Sequence, residues 1–203
     1  MNYVKLKGVL RNIQFSHSIN NTEYDKADIV VKRENSEDDV LSLVFKKFSN
    51  HYTEDQEVEL EGHVRSYSKK LEDGKNKVEI YVFTYFDRPQ DDDEDNNVVE
   101  LDGRICKMEQ LRVTKSGKHT VHFTLANNII SADGTKKINN YIPCVAWGNL
   151  AKELSKLKVS DRIELKGNLH SRLYKKKIND SEIELKTAHE VLILDYRLVT
   201  EEE

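Results

Sequence analysis

Apolar and polar residues alternate with a period of two along much of the chain, and this pattern predicts β-strands. In the strand that ends at Trp147, small or aliphatic residues alternate with larger ones. One face, which suits the core of a small barrel, carries Ile142, Cys144 and Ala146. The opposite face, where a core has no need of large rings, carries Tyr141, Pro143, Val145 and Trp147. Flat exposed rings are surfaces on which unpaired bases stack, so this face is a candidate binding surface.

The same alternation predicts five strands in each half of the chain. In the second half the predicted strands are residues 98–107, 119–130, 138–147, 161–174 and 181–195. In the first half they are residues 4–12, 28–33, 40–45, 57–67 and 77–86. The tetrapeptide Ala132-Asp-Gly-Thr135 predicts a hairpin between the second and third strands of the second half.

One short helix is predicted between the third and fourth strands of the second half. Leu150, Leu154 and Leu157 fall on one helical stripe, and Asn149 stands where a capping residue is expected. The corresponding segment of the first half, residues 46–55, is only weakly helical. Five strands with a helix in this place are the plan of the oligonucleotide/oligosaccharide-binding (OB) barrel.

A repeated strand with a central glycine relates the two halves. Val4-Lys-Leu-Lys-Gly8 opens the first half and Val99-Glu-Leu-Asp-Gly103 opens the second, and Val58-Glu-Leu-Glu-Gly62 is echoed by Ile163-Glu-Leu-Lys-Gly167. A glycine inside a strand often marks the sharp bend that a small closed barrel needs. The sequence therefore predicts an all-β protein of two tandem five-stranded OB-fold barrels, each with at most one short helix.

Composition agrees with two small domains. The 203 residues are 37% hydrophobic and 33% charged, which makes a single large core improbable. No apolar run approaches membrane length, and the N-terminus lacks a signal-peptide segment, so we expect a soluble, cytoplasmic protein that makes no membrane contact. Cys106 and Cys144 lie in apolar strand contexts, which favours buried thiols in a reducing compartment over a disulfide or a metal pair.

Charge is distributed unevenly along the chain. Residues 89–97 hold five acidic residues and no apolar one, which predicts a flexible linker between a domain at 1–88 and a domain at 98–198, with an acidic tail at 199–203. Residues 98–199 carry 18 Lys and Arg against 12 Asp and Glu, whereas residues 1–88 carry 14 against 16. The second half is therefore a basic body that would attract a polyanion.

The second half resembles the bacterial single-stranded-DNA-binding protein family. The resemblance is carried, in order and spacing, by Val99–Gly103, Phe123–Ala126, Tyr141–Ala151 and Gly167–Tyr174. It implies an OB fold, single-stranded DNA as the partner, no cofactor and no catalysis. Two barrels per chain also suggest a homodimer, because four barrels per particle is the familiar arrangement in the family.

The resemblance also assigns base-stacking positions. Tyr141 and Trp147 stand where the family has stacking rings on its third strand, Tyr174 stands at a further stacking position, and Arg112 matches an arginine ahead of a turn. The family's tryptophan in the hairpin between strands 2 and 3 has no aromatic counterpart here. The tail Glu201–Glu203 lacks the Pro-Phe tip through which the family recruits partner proteins.

Basic residues around the same face are predicted to contact phosphates. In the second half they are Arg172, Lys115, Lys118, Lys136 and Lys137, together with Lys175, Lys176 and Lys177 in a loop predicted between strands 4 and 5. In the first half, Phe45 is placed at the position of Trp147, with Lys46 and Lys47 beside it. Whether the first half binds DNA or mainly supports dimerisation is left open by the sequence.

Other functions are less well supported. The chain has no phosphate-binding glycine loop and no nucleophile turn, and His119 and His122 fall on opposite faces of a strand with no cysteine at zinc-ligand spacing. Two alternatives to DNA coating remain: an OB-fold adaptor of the primosome or recombination machinery that acts mainly through protein partners, and an enzyme accessory module that prefers structured RNA. The rings would then pack against a partner or a loop.

Overall fold

Eleven strands and one short helix form the part of the chain that the computed structural model describes, namely residues 1–34, 36–47, 52–70, 74, 76–88, 96–130, 134–177 and 183–200. Residues 76, 85–88 and 175–177 are described in their backbone only. In this part of the chain no helix is long and apolar enough to cross a membrane.

The first five strands close into a barrel, called barrel 1 below. They are β1 Asn2–Ile19, β2 Thr22–Val31, β3 Asp39–Lys46, β4 Glu57–Lys70 and β5 Asn76–Arg88. The order around the barrel is β1-β2-β3-β5-β4, and β4 pairs back onto β1. Among the described residues of barrel 1, only β3 and β5 pair in parallel.

The remaining strands form barrel 2 with the same order. They are β6 Asn97–Met108, β7 Arg112–Val113, β8 His119–Ile130, β9 Lys137–Trp147, β10 Arg162–Lys177 and β11 Ile183–Leu198, with helix α1 at Gly148–Leu154. The closed order is β6-β8-β9-β11-β10, again with one parallel pair, β9 and β11. The predicted fold of two tandem five-stranded OB barrels is confirmed, and the short strand β7 is an addition that the pattern did not predict.

The core follows the predicted alternation. Ile142, Cys144 and Ala146 are buried, and β8 and β9 pair from Thr120–Trp147 to Ile130–Lys137, as the predicted hairpin requires. Ala132 and Asp133 of the predicted turn lie outside the described residues. Val145 is an exception on the outer face, because it too is buried. Cys106 is exposed, so the expectation that both thiols are buried is wrong for this one; its neighbour Ile105 takes the core position.

The helix differs from the prediction at its start. It begins at Gly148, the capping residue is Trp147, and no side chain caps the N-terminus, so Asn149 is not a cap. Leu154 is buried, and Leu150 and Leu157 pack partly buried against the core, as the predicted stripe requires. In the described part of residues 46–55 barrel 1 has no helix.

The repeated glycines share one structural role, a close approach of two strands. A Cβ on Gly62 would meet the carbonyl oxygen of Phe83, and a Cβ on Gly167 would meet that of Leu192. The pairing register shifts immediately before each of these glycines, between Glu61 and Gly62 and between Lys166 and Gly167. Gly8 and Gly103 are equally close to carbonyls of β2 and β8. These contacts explain why the glycines mark the repeat.

The two barrels are joined by antiparallel pairing of β1 with β6. Val4 pairs with Val99, its own equivalent in the repeat, while Asn2 pairs with Leu101 and Leu6 pairs with Asn97. This register places a pseudo-two-fold axis at the Val4–Val99 pair. Side-chain contacts obey the same symmetry, because the amide of Asn2 brackets the backbone of Val64 and the amide of Asn97 brackets that of Leu169.

Two long hairpins reach across from one barrel to the other. Arm 1 is the β4–β5 hairpin from Arg65 to Tyr81, and arm 2 is the β10–β11 hairpin from His170 to Glu190. Arm 1 contacts β9 of barrel 2, and arm 2 contacts β3 of barrel 1. The strands of arm 2 run to Lys177 and resume at Ile183, so Lys175, Lys176 and Lys177 lie in a strand and not in the predicted loop.

Two of the predicted segments fall mainly on residues outside those described. They are the acidic linker, of which residues 89–95 are not described, and the tail, of which residues 201–203 are not described. At the described end of the linker segment, the carbonyl of Asn96 accepts a hydrogen bond from the backbone N–H of Lys7, 2.8 Å away, and β6 begins at Asn97.

Candidate nucleic-acid interface

Two large rings stand on the outer face of β9. Tyr141 is 45% exposed and Trp147 is 44% exposed, while Pro143 between them is half-buried. Six strand residues of about 3.3 Å rise place the backbones of the two rings about 20 Å apart. A ring that is nearly half exposed on a strand gives little packing energy to its own domain and leaves a face free for a base.

The end of β9 explains why Trp147 is exposed. The strand turns directly into α1 through Gly148, whose φ of 64° is a left-handed conformation that glycine adopts without a Cβ penalty. Trp147 pairs with Thr120 at the outer end of β8, and its extended backbone caps the helix. The turn therefore leaves the indole at the rim of the barrel.

Arm 2 carries a chain of charged contacts that leads to Tyr174. The guanidinium carbon of Arg172 lies 5.8 Å from the centroid of the half-buried Tyr174 ring, and Arg172 Nε lies 3.4 Å from Glu190 Oε1. His122 Nδ1 on β8 lies 3.6 Å from the other oxygen of Glu190. Burial alone would raise the pKa of Glu190, but the hydrogen bond with His122 and the charge of Arg172 hold that pKa below its usual value. Through the Glu190–His122 contact, these ion pairs connect arm 2 to the outer face of β8.

The other predicted cations of barrel 2 are exposed around its rim. Arg112 on β7 pairs with Glu109, with 3.1 Å between Nη2 and Oε2. Lys115 and Lys118 occupy the exposed turn from β7 to β8, and Lys136 and Lys137 lie at the start of β9. Arg112 and Arg172 are thus both ion-paired, but surface ion pairs of this kind contribute little and exchange partners readily.

Lys175, Lys176 and Lys177 extend arm 2 beyond Tyr174, paired with Leu185, Glu184 and Ile183. Their side chains are outside the described residues, so phosphate contact by these three lysines stays a prediction.

Phe45 of barrel 1 is not available for stacking. It is 2% exposed and packs edge-on against Tyr52, with ring centroids 4.7 Å apart, so its assignment as a base-stacking residue is corrected. The parallel strand pairs explain the error. Leu43 pairs with Val82 of β5, and Cys144 pairs with Val191 of β11, so Leu43 and Cys144 are equivalent positions in the two barrels. Phe45 is therefore the equivalent of the buried Ala146, and a shift of one residue exchanges the two faces of a strand.

Lys46, not Phe45, is the barrel 1 equivalent of Trp147, and it is exposed. Lys47 is engaged with Glu23 through an ion pair of 2.6 Å. The barrel 1 equivalent of Tyr141 is Val40, which is 43% exposed. The three predicted site residues of barrel 1 thus include no exposed ring.

Barrel 1 has a groove that the sequence did not single out. It has a volume of about 660 Å³ and lies between the outer faces of β1, β2 and β3, arm 1, and the Pro143 and Thr187–Glu190 segments of barrel 2. Tyr67 and Tyr81 line it with centroids 5.9 Å apart. Tyr67 is exposed and donates to Glu79, and burial together with that carboxylate raises the pKa of Tyr67 to about 12. In the sequence, the alternate positions Arg65, Tyr67 and Lys69 along β4 could have indicated this surface.

Among the described residues, no group of three or more His, Cys, Asp and Glu side chains is arranged to hold a metal ion. The candidate interface consists of two exposed rings on β9, the half-buried ring of Tyr174 on arm 2, and cations around the rim of barrel 2.

Comparisons with known proteins identify the family and the fold. The model of the single-strand binding protein family matches residues 96–197. Along its whole length the chain is similar in fold to the single-stranded DNA binding protein from Thermus aquaticus: the wild-type crystal structure aligns with a TM-score of 0.71 and 18% identity over 100% of this chain and 95% of that chain. A deletion variant of the same protein aligns with a TM-score of 0.72 and 17% identity over 100% and 96%.

A third structure, protein priB from Ralstonia solanacearum, covers 51% of this chain and 98% of that chain at 16% identity, with a TM-score of only 0.39. A search of curated proteins gives no match.

Proposed function

The chain belongs to the single-strand binding protein family, and from that premise we propose that it coats single-stranded DNA without sequence preference, gripping it mainly through barrel 2. The observation that carries this proposal is the pair of exposed rings, Tyr141 and Trp147, on the outer face of β9 in the basic half of the chain. Stacking on a ring contributes about 1–3 kcal/mol per base and does not read base identity. Tyr174 on arm 2 is the third stacking position.

The cations that surround the rings give the second part of the mechanism. Lys115, Lys118, Lys136 and Lys137 are exposed at the rim of barrel 2, and Arg112 and Arg172 are at the surface in ion pairs that a phosphate would replace. Neutralising phosphates releases condensed counterions, so the affinity falls as the salt concentration rises. Single-stranded DNA has both free base faces and a flexible phosphate chain, whereas duplex DNA offers only the phosphates.

The family to which the chain belongs consists of non-enzymatic binding proteins, and this protein is accordingly a binding protein and not an enzyme. Binding of this kind protects exposed strands during replication, recombination or transfer of a mobile element, and those are the processes that we propose for it. It requires no cofactor. A cytoplasmic location is part of the same proposal.

Titration with oligo-dT tests the proposal directly. Trp147 is the only tryptophan, so quenching of its fluorescence reports on one stacking position. We expect quenching by dT oligomers at low salt, a weaker affinity at high salt, and little binding of duplex DNA of equal length. Equal affinity for duplex DNA, or no binding of dT at low salt, would contradict the proposal.

An adaptor that acts mainly through protein partners is the second hypothesis. The weakly acidic first half is the sequence feature that favours it. Replacing Trp147 and Tyr174 together by Ala separates the two, because a DNA-coating protein loses most of its affinity and an adaptor keeps its function. Replication or recombination proteins are the partners to test.

We also propose a homodimer, which would bring four barrels together. Support comes from a strip of exposed apolar side chains on one face of arm 2, where Leu173, Leu185 and Ile183 lie on the same side by strand alternation. Exposed apolar patches commonly mark interaction sites. Measurement of mass in solution tests this state.

The domain limits at 88 and 98 likewise stay a prediction, which limited proteolysis of the acidic segment would test.

A further inference from the structure

Barrel 1 makes a direct hydrogen-bonded contact with the DNA-facing strand of barrel 2. The hydroxyl oxygen of Ser66 on arm 1 accepts a hydrogen bond from the backbone N–H of Tyr141, with 2.8 Å between the atoms. The backbone N–H of Ser66 in turn donates to the side-chain oxygen of Asn140, 3.1 Å away. These two hydrogen bonds are called the Ser66 clamp below. Asn140 is fully buried, so the clamp is part of the packed junction between the barrels.

The clamp replaces a strand partner that β9 lacks at this point. Tyr141 is paired with Ala126 of β8 on one side. On its other side β9 pairs with β11 only at Cys144 and Val145, further along the strand. Tyr141 is exposed, so without Ser66 its backbone N–H would bond only to water, and a strand segment held on one side opens more readily. Ser66 supplies the acceptor, and so barrel 1 completes the pairing of the segment that carries the Tyr141 ring.

Fixing this backbone matters for binding because a stacking ring contributes fully only when it is already in place. If the segment around Tyr141 were loose in the free protein, binding DNA would have to order it, and the ordering cost would be subtracted from the stacking energy. Strand alternation then sets the direction of the ring, since a fixed backbone at Tyr141 directs its side chain to the outer face.

We propose that Ser66 of barrel 1 is a positioning residue for DNA binding by barrel 2, acting through the backbone of Tyr141. The inference rests on the proposed function, and it gives barrel 1 a role in the grip of barrel 2 whether or not barrel 1 itself touches DNA. It is specific to one residue, which makes it testable by a single substitution.

The chain contains a matched control. On the other side of the pseudo-two-fold axis, the Ser171 hydroxyl oxygen accepts from the backbone N–H of Val40, 2.9 Å away, and the Ser171 N–H donates to Asp39, 2.7 Å away. Ser171 therefore makes the same two contacts as Ser66, but it holds β3 of barrel 1, where Val40 replaces the ring. Removing either hydroxyl should loosen the junction similarly, and only Ser66 should affect the Tyr141 ring.

The experiment measures the affinity for fluorescent dT oligomers, with urea unfolding to confirm that each variant is folded. We expect Ser66→Ala to weaken binding about two- to tenfold, the factor that corresponds to the net free energy of one hydrogen bond. Ser171→Ala should bind as the unmodified protein does, and Ser66→Thr, which keeps the hydroxyl, should restore most of the affinity. Should Ser66→Ala fail to fold, Ser66→Cys fills the site with a slightly larger thiol that is only a weak acceptor.

A double-substitution cycle shows whether Ser66 acts through Tyr141. In the Tyr141→Ala background, Ser66→Ala should cause no further loss of affinity. Normal binding by Ser66→Ala, equal losses for Ser66→Ala and Ser171→Ala, additive losses in the cycle, or no effect of Tyr141→Ala would each overturn the inference. If the unmodified protein fails to bind dT at low salt, it is the proposed function that fails; if it binds and one of these four results is found, only the role of Ser66 fails.

Discussion

Barrel 1 and barrel 2 have the same strand order, the same close-approach glycines and matching contacts across their junction, yet they expose different chemistry at equivalent positions. Where barrel 2 has Trp147, barrel 1 has Lys46, and where barrel 2 has Tyr141, barrel 1 has Val40. The positions that the repeat preserves are those that touch a core or a neighbouring backbone. The outer faces carry no such constraint, because alternate residues of a strand point away from the core.

This difference separates what builds an OB barrel from what makes it grip DNA. Ser66 and Ser171 make equivalent hydrogen bonds to opposite barrels, but the strand held by Ser66 carries exposed rings, whereas the one ring on the strand held by Ser171, Phe45, is buried. A fold-level resemblance between the halves therefore does not transfer function from one to the other.

The largest expected effect comes from removing two rings of barrel 2. Replacing Trp147 and Tyr174 together by Ala should weaken dT binding by about 2–6 kcal/mol, because each ring contributes about 1–3 kcal/mol of stacking. Fluorescence anisotropy with labelled dT measures the loss.

The control is the equivalent pair in barrel 1, Lys46→Ala with Lys69→Ala; Lys69 is the equivalent of Tyr174 because it follows Gly62 by seven residues, as Tyr174 follows Gly167. This pair removes no ring, so we expect only a smaller salt slope, by about one per lysine that contacts a phosphate. If the lysine pair were the more damaging one, barrel 1 and not barrel 2 would be the gripping barrel.

Phe45→Ala should act on stability and not on a stacking site. A buried ring of this size costs about 3–5 kcal/mol when it is removed, through lost packing and the cavity that remains. Urea unfolding of Phe45→Ala should show this loss, while Trp147→Ala, which removes a half-exposed ring, should change the free energy of unfolding by about 1 kcal/mol or less. A Phe45→Ala protein with unchanged stability and weakened DNA binding would restore Phe45 as a stacking residue.

Local periodicity was sufficient to predict most of the fold. The strand predicted at residues 119–130 is β8 as observed, and the three predicted core residues of β9 are buried. Both results depend on alternation, which is a property of neighbouring residues. The glycines predicted the repeat because each close approach to a carbonyl excludes any side chain.

Features that depend on distant parts of the chain were not predicted. Phe45 was aligned one residue out of register because no glycine anchors the repeat near it, and one residue is enough to exchange core and surface. The lysines of arm 2 have the composition of a loop, but ladder hydrogen bonds between backbones form regardless of charge, and the strand continues through them. The contact of Ser66 with Asn140 and Tyr141 joins residues from different barrels, and no local pattern indicates it.

The equivalence of the two barrels predicts equal effects for two glycine substitutions. Gly62→Ala and Gly167→Ala should each destabilise the protein by about 1–3 kcal/mol, because the added Cβ would press on the carbonyl of Phe83 or of Leu192. Urea unfolding measures both, with Ser68→Ala on exposed arm 1 as a control that should stay within about 0.5 kcal/mol of the unmodified protein. Clearly unequal losses would mean that the glycines do not share one role.

The smallest expected effect concerns the one ionisable difference between the two junction contacts. Asp39 takes the place that Asn140 has on the other side of the axis, and it is fully buried beside His170 Nδ1 at 3.2 Å, the Ser171 N–H at 2.7 Å and Arg33 Nε at 3.6 Å. Burial alone would raise the pKa of Asp39, but the hydrogen bonds with His170 and Ser171 and the charges of His170 and Arg33 together lower it.

Because the pKa of Asp39 is lower in the folded than in the unfolded protein, the carboxylate stabilises the fold above its ordinary pKa of 3.8, and this contribution is lost as the pH falls below that value. Asp39→Asn should cost about 1 kcal/mol at neutral pH, since an amide already serves the equivalent position. Between about pH 5 and pH 3 the unfolding free energy of the Asp39→Asn protein should fall less steeply than that of the unmodified protein. Parallel curves in urea unfolding would show that Asp39 is not a source of pH dependence, and the two junction contacts would then be electrostatically equivalent despite their different residues.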